Sequence, residues 1–189
     1  MKKAILLHGW AGKSDNHWFP WAKKELENRG FEVFTPDLPN ARFPVLSEQI
    51  ESISEIVKDF QAWDIIIGHS LGCQLVLRVI HEYKLSWIKA IFVWPSFPET
   101  TVDLWEDFVW ESYKTLVDYN TQADLEFEDF WNQYVICLSE NDEFINLEKA
   151  EEYYCMLEDV EFLEFPNAGH FNTKSNTFEI PELLEYFEE

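Results

Sequence analysis

Five consecutive residues, Gly68-His69-Ser70-Leu71-Gly72, set a serine between two glycines in a Gly-x-Ser-x-Gly pattern. A serine hydroxyl becomes a useful nucleophile toward carbonyl carbon when a neighbouring base takes its proton. The pattern serves that chemistry when it forms a sharp strand-to-helix turn, a nucleophile elbow, that exposes the hydroxyl above the end of a sheet. The serine at such a turn holds a strained backbone angle, and strand and helix approach too closely to admit a Cβ, hence the flanking Gly68 and Gly72. The bare pattern also fits an ordinary tight turn. Here the strand-like run Trp63-Asp64-Ile65-Ile66-Ile67 precedes it and the helix-like run Leu75-Val76-Leu77-Arg78-Val79-Ile80 follows, which is the context an elbow requires.

A base and an acid must complete such a site, in the chain order serine, acid, histidine. Of five histidines, His8 lies before the elbow in another motif, His17 and His81 precede any acid, and His69 adjoins the serine and is expected to point elsewhere. His170 alone lies late in the chain, in Pro166-Asn167-Ala168-Gly169-His170, just after the last strand-like run. The acid is expected in Ser139-Glu140-Asn141-Asp142-Glu143-Phe144, where Asp142 is favoured and Glu140 and Glu143 read as solvated charges. Oxyanion stabilisation needs backbone N–H donors: Leu71, next after the nucleophile, and Trp10, after the first strand in Leu7-His8-Gly9-Trp10.

The elements that would position these residues follow from hydrophobic patterning. Six short apolar runs read as strands: 4–7, 31–34, 64–67, 88–93, 134–138 and 160–165. Most are continuous rather than alternating, as strands buried on both faces of a parallel sheet require. Helices are predicted from Pro20 to Gly30, after Ser47 as N-cap with Ile50, Ile53, Val57 and Phe60 on one stripe, after the elbow, from Leu147 to Leu157, and around Pro181 to Phe187. Alternation of this kind predicts a doubly wound α/β fold, with ligands at the carboxyl ends of the strands. About 40 residues separate Val93 from Tyr134, longer than a crossover needs. This aromatic and acidic stretch reads either as crossover helices or as a small cap within 100–132, in which Trp105 and Phe108 would join Trp18 in lining a substrate pocket.

Composition narrows the function classes. The 189 residues favour one domain over 1–189, and 47% hydrophobic content with 17% aromatics supplies a core. A net charge of −22 repels phosphate backbones and anionic lipid, so neither nucleic acid nor membrane is expected as a partner. Cys73, Cys137 and Cys155 show no metal-ligand or disulfide spacing; each reads as a small core residue, and neither metal nor cofactor is expected. The apolar run at the N-terminus ends at His8-Gly9, too short for a secretory signal, so a cytoplasmic protein is the default.

Taken together, His8-Gly9-Trp10, His17-Trp18-Phe19-Pro20-Trp21, Leu38-Pro39-Asn40, Gly68-His69-Ser70-Leu71-Gly72, Asn141-Asp142 and Gly169-His170-Phe171-Asn172 resemble, in order, the small serine hydrolases related to retinoblastoma-binding protein 9. The resemblance covers nearly the whole chain. It implies a minimal α/β-hydrolase fold: a six-stranded, mainly parallel sheet of order 2-1-3-4-5-6 with helices on both faces. It also implies a Ser70, Asp142, His170 triad. The expected activity is hydrolysis of small carboxylic esters through an acyl-enzyme, with amides and thioesters open to the same chemistry. Two rival readings use the same chain: a protein-binding module whose triad is idle, and an acyltransferase. A small-molecule ester is the expected partner, and no protein partner is readable from the sequence.

Overall fold

The computed structural model describes residues 1–97, 119 and 130–188. Six strands form one sheet: β1 (Lys3–Leu7), β2 (Glu32–Phe34), β3 (Ile65–His69), β4 (Lys89–Val93), β5 (Gln133–Ser139) and β6 (Val160–Phe165), in the order β2-β1-β3-β4-β5-β6. All five pairings are parallel, in registers such as Ile5↔Ile66, Ile67↔Ile91 and Val93↔Cys137. The four inner strands are buried along almost their whole length, which explains their continuous apolar runs. The edge strands β2 and β6 keep partly exposed positions.

Helices cover both faces: α1 (Phe19–Asn28), α2 (Leu46–Val57), α3 (Gly72–Tyr83) and α4 (Leu147–Tyr154). Pro20 sits in the first turn of α1, and Gly30, at φ +86°, ends it as expected. The stripe on α2 is buried through Ile50, Ile53 and Val57, but the helix begins before Ser47. Leu46 is its first residue and is buried, Val45 precedes it, and Ser47 is an exposed residue inside the helix that caps nothing. Burial of Leu46 thus sets the start where a polar cap was expected. α3 runs behind the elbow and buries Cys73, Gln74, Leu75, Val76, Leu77, Val79 and Ile80. The closing segment Pro181–Phe187 is a 3-10 helix rather than an α-helix; it buries Leu183, Tyr186 and Phe187.

Cys73 and Cys137 are core residues, whereas Cys155, expected there too, is exposed just after α4. The expected cap over 100–132, with Trp105 and Phe108, lies outside the described residues except for Tyr119 and residues 130–132. Tyr119 is buried, and its hydroxyl donates to Gln49 Oε1 of α2 at 2.8 Å. Among the described residues no helix is long and apolar enough to cross a membrane.

Candidate active site

The carboxyl ends of β1, β3, β5 and β6 converge on Ser70. Ser70 follows β3 directly and has φ +53°, a left-handed angle unusual for a residue with a side chain. Its N–H donates to Val93 O at 3.0 Å and its carbonyl accepts from Cys73 N at 3.0 Å, so the turn is held from both sides. Close packing accounts for the flanking glycines. A Cβ on Gly72 would stand 2.3 Å from Leu7 O, and one on Gly68 would stand 2.7 Å from Cys73 Cα.

Three loops bring the partners to this turn. His170 Nε2 lies 3.0 Å from Ser70 Oγ, and His170 Nδ1 lies 2.7 Å from Asp142 Oδ2. Because a carboxylate accepts, Nδ1 carries the ring proton and Nε2 is left to accept from the serine hydroxyl. The Asp142 side chain is fully buried and that of His170 is 12% exposed. The second Asp142 oxygen accepts from the amides of Phe144, at 2.5 Å, and Ile145, at 2.9 Å, which fixes the carboxylate in its own turn. Glu140 and Glu143 are exposed.

Residues with no scaffold role assigned from sequence complete the site. Asn141 Oδ1 accepts from Gly169 N at 2.8 Å, and Ser139 Oγ accepts from Ala168 N at 3.0 Å, tying the Asp142 loop to the His170 loop. The His170 ring sits between Phe144, edge-on at 5.2 Å, and His69 at 5.3 Å. The His69 ring is turned to the His170 main chain rather than to the serine hydroxyl. It is buried beneath the site and donates Nε2–H to the His170 carbonyl at 3.0 Å. Burial, reinforced by His170 and His17, pushes its pKa well below the usual histidine range. His8 is also held neutral, mainly by burial, with Nδ1–H donating to Gly9 O and Nε2 accepting from Leu38 N, both at 2.9 Å.

The β1 loop abuts the elbow. A Cβ on Gly9 would stand 2.9 Å from Ser70 Cβ and 3.3 Å from Leu71 N, so only glycine lets the two backbones meet here. The Leu71 N–H, at the start of α3, donates to no described residue. Trp10 lies in the same wall, its indole N–H donating to Arg42 O at 2.9 Å. A cleft of about 230 Å³ opens over Ser70 and His170, with Trp10, Phe19, Phe144 and His17 in its walls. Trp18, expected in that wall, is instead fully buried behind it, with its ring edge-on to His69 at 6.1 Å and tilted against Phe19 at 4.7 Å. Among the described residues no group of His, Cys, Asp or Glu is arranged to hold a metal ion.

Several known proteins are similar to this chain. YdeN of Bacillus subtilis (strain 168) is 32% identical over 84 residues, 44% of this chain and 44% of YdeN, so the sequence match spans less than half of that relative's length. The crystal structure of the B. subtilis ydeN gene product superposes with a TM-score of 0.80 at 20% identity, covering 98% of this chain and 96% of that one. Est1E from Butyrivibrio proteoclasticus, solved with ferulic acid bound, gives 0.71 at 14% identity over 100% of this chain and 87% of its own. The monoacylglycerol lipase of Paleococcus ferrophilus gives 0.68 at 18% over 98% and 90%. At these identities the structural likeness speaks for the α/β-hydrolase fold. The family model described as "Serine hydrolase" matches residues 4–189, and with an elbow serine at the head of this cleft the chain belongs to the serine hydrolase family.

Proposed function

We propose that this enzyme hydrolyses small carboxylic esters through an acyl-enzyme on Ser70, with His170 as general base and acid and Asp142 as its orienting partner. The observation that carries the reading is the unbroken hydrogen-bonded chain from Ser70 Oγ through His170 to the buried Asp142 carboxylate, set below an open cleft. Ser70 Oγ bonds to the carbonyl carbon as its proton passes to His170 Nε2. Asp142 stabilises the imidazolium and keeps the proton of Nδ1 in place. The amides of Leu71 and Trp10 receive the oxyanion, each worth about 3 kcal/mol of barrier in such sites. The alcohol then leaves with the proton from His170. Water adds to the acyl carbon, gives a proton back through His170, and releases Ser70 and the acid.

The size of the cleft and its apolar wall of Trp10, Phe19 and Phe144 favour short acyl groups. Amides and thioesters need the same machinery. Kinship with the retinoblastoma-binding protein 9 family belongs to the same proposal, supported by the order of the shared motifs. So do a single domain over 1–189 and a cytoplasmic place of action. The test is turnover of short-chain p-nitrophenyl esters with product analysis in the presence of a competing alcohol or amine. Free acid as the main product supports hydrolysis. Acyl transfer to the added nucleophile as the main product would make the enzyme a transferase on the same residues.

A further inference from the structure

The charge of the described lining of the cleft runs against the charge of the protein. Asp and Glu make up 36 of 189 residues, and Lys and Arg only 14. Among the described residues that line the cleft there is no Asp or Glu, while Lys13 and Lys174 are both present. Asp142, below it, is buried and engaged with His170. Asp37 acts on Lys13 electrostatically but is itself held by the Ser14 amide at 2.7 Å. Lys174 makes no ion pair with any described residue.

Both lysines ride on turns that belong to the reacting groups. Lys13 follows the Gly9–Gly12 turn, closed by Gly12 N donating to Gly9 O at 3.1 Å, in the wall that carries Trp10. Lys174 sits in the 3-10 turn Thr173–Ser175, four residues after His170, which is held by the Asn172 side chain through the amides of Lys174 at 2.9 Å and Ser175 at 3.2 Å. His17 joins the two walls: its Nδ1 accepts from Thr173 N at 3.1 Å. A neutral His17 must then carry its proton on Nε2, which has no partner among the described residues. Burial, then the proximity of His170, lowers its pKa, so the neutral ring is the prevailing form near pH 7. The cleft is therefore bordered by two ammonium groups and a ring N–H donor, with no opposing carboxylate in its described lining.

We infer that the substrate is an ester bearing its own anionic group, a carboxylate carried on a short acyl chain, which Lys13, Lys174 and the His17 N–H receive at the mouth of the cleft. This rests on the proposed ester hydrolysis at Ser70. A surface of −22 would repel such a substrate at long range, so a local cationic patch is what lets it approach and settle in one orientation.

The test compares p-nitrophenyl butyrate with mono-p-nitrophenyl succinate, two four-carbon acyl esters that differ by a terminal carboxylate. The readout is the ratio of kcat/KM for the charged ester to that for the neutral one. The wild-type ratio should exceed one. It should fall about fivefold in Lys13→Gln/Lys174→Gln, the scale expected of solvent-facing charge pairs. Raising ionic strength from about 20 to about 200 mM should narrow the gap between wild type and the double variant, because salt screens the attraction to the two lysines while relief of the long-range repulsion is common to both proteins. Lys23→Gln, on α1 beside Glu27 and outside the cleft, should leave the ratio unchanged. A wild-type ratio at or below one, a ratio indifferent to the double substitution, or a gap between wild type and the double variant that widens with salt overturns the inference while leaving ester hydrolysis intact. If neither ester is turned over but Ser70 still reacts with a fluorophosphonate, the substrate class is wrong and the nucleophile stands. If Ser70 is also inert, the hydrolytic reading falls with it.

Discussion

Gly72→Ala should damage the enzyme in two separable ways. The added Cβ would stand 2.3 Å from Leu7 O and 2.8 Å from His8 O, whereas a carbon–oxygen contact settles near about 3.3 Å. About 1 Å of displacement is therefore demanded between the end of β1 and the start of α3. Both neighbours are main-chain atoms, so no rotamer change relieves the overlap. Overpacking of this kind costs up to about 3 kcal/mol, which for a chain this long lowers Tm by about 6–12 °C. The same shift moves the Leu71 amide and Ser70 relative to Trp10, and a misplacement of about 1 Å costs on the order of 10²-fold in rate. Gly30→Ala is the matched control. It has no atom within 4 Å of the new Cβ, but its φ of +86° imposes backbone strain of about 1–2 kcal/mol. It should lower Tm by several degrees, about 2–8 °C, yet react normally with a fluorophosphonate. The assay pairs scanning calorimetry with second-order labelling rates for the two variants. A Gly72→Ala protein that melts within about 2 °C of wild type and labels at the wild-type rate would refute the close-approach argument.

The remaining predictions address the acid and the buried histidine. Asp142→Asn should keep its fold but lose turnover on the order of 10⁴-fold, because an amide beside Nδ1 favours the wrong imidazole tautomer; Glu140→Gln and Glu143→Gln, both exposed, should stay near wild-type kcat/KM. A large loss in either glutamate variant with Asp142→Asn active would reassign the acid. His69 is neutral in the fold with a depressed pKa, so the unfolded chain binds the extra proton as pH falls through about 6.5. Its contribution to stability is thus full above about pH 6.5 and shrinks below it. Denaturant melts of wild type and His69→Gln should differ most at pH 7 and converge toward pH 5, since the general charge repulsion is common to both.

The inner strands were legible because a buried parallel sheet writes itself as unbroken apolar runs, and the elbow because its glycines are required within five consecutive residues. Chain order pointed to His170 and Asp142; the fold sets His170 within hydrogen-bonding distance of Ser70, and Asp142 within that distance of His170. Features decided by distant contacts were not legible. The Thr173 amide that fixes His17 lies 156 residues away in sequence. His69 faces the carbonyl of His170 from 101 residues away, and no local rule orients it. Trp18 resembles a pocket aromatic by its neighbours, but the packing of α1 on the sheet buries it behind Phe19 and His69. At Ser47 a local capping preference yielded to burial of Leu46.

The central claim is that Ser70 is the nucleophile, activated by His170. Intact-mass analysis after fluorophosphonate treatment at neutral pH tests it most directly, because such reagents report a base-activated serine beside an oxyanion hole. Wild type should gain one adduct, mapped to Ser70 by peptide digestion, and Ser70→Ala, with an unchanged melting point, should gain none. An unlabelled wild-type protein, or an adduct that persists in Ser70→Ala, would contradict the account.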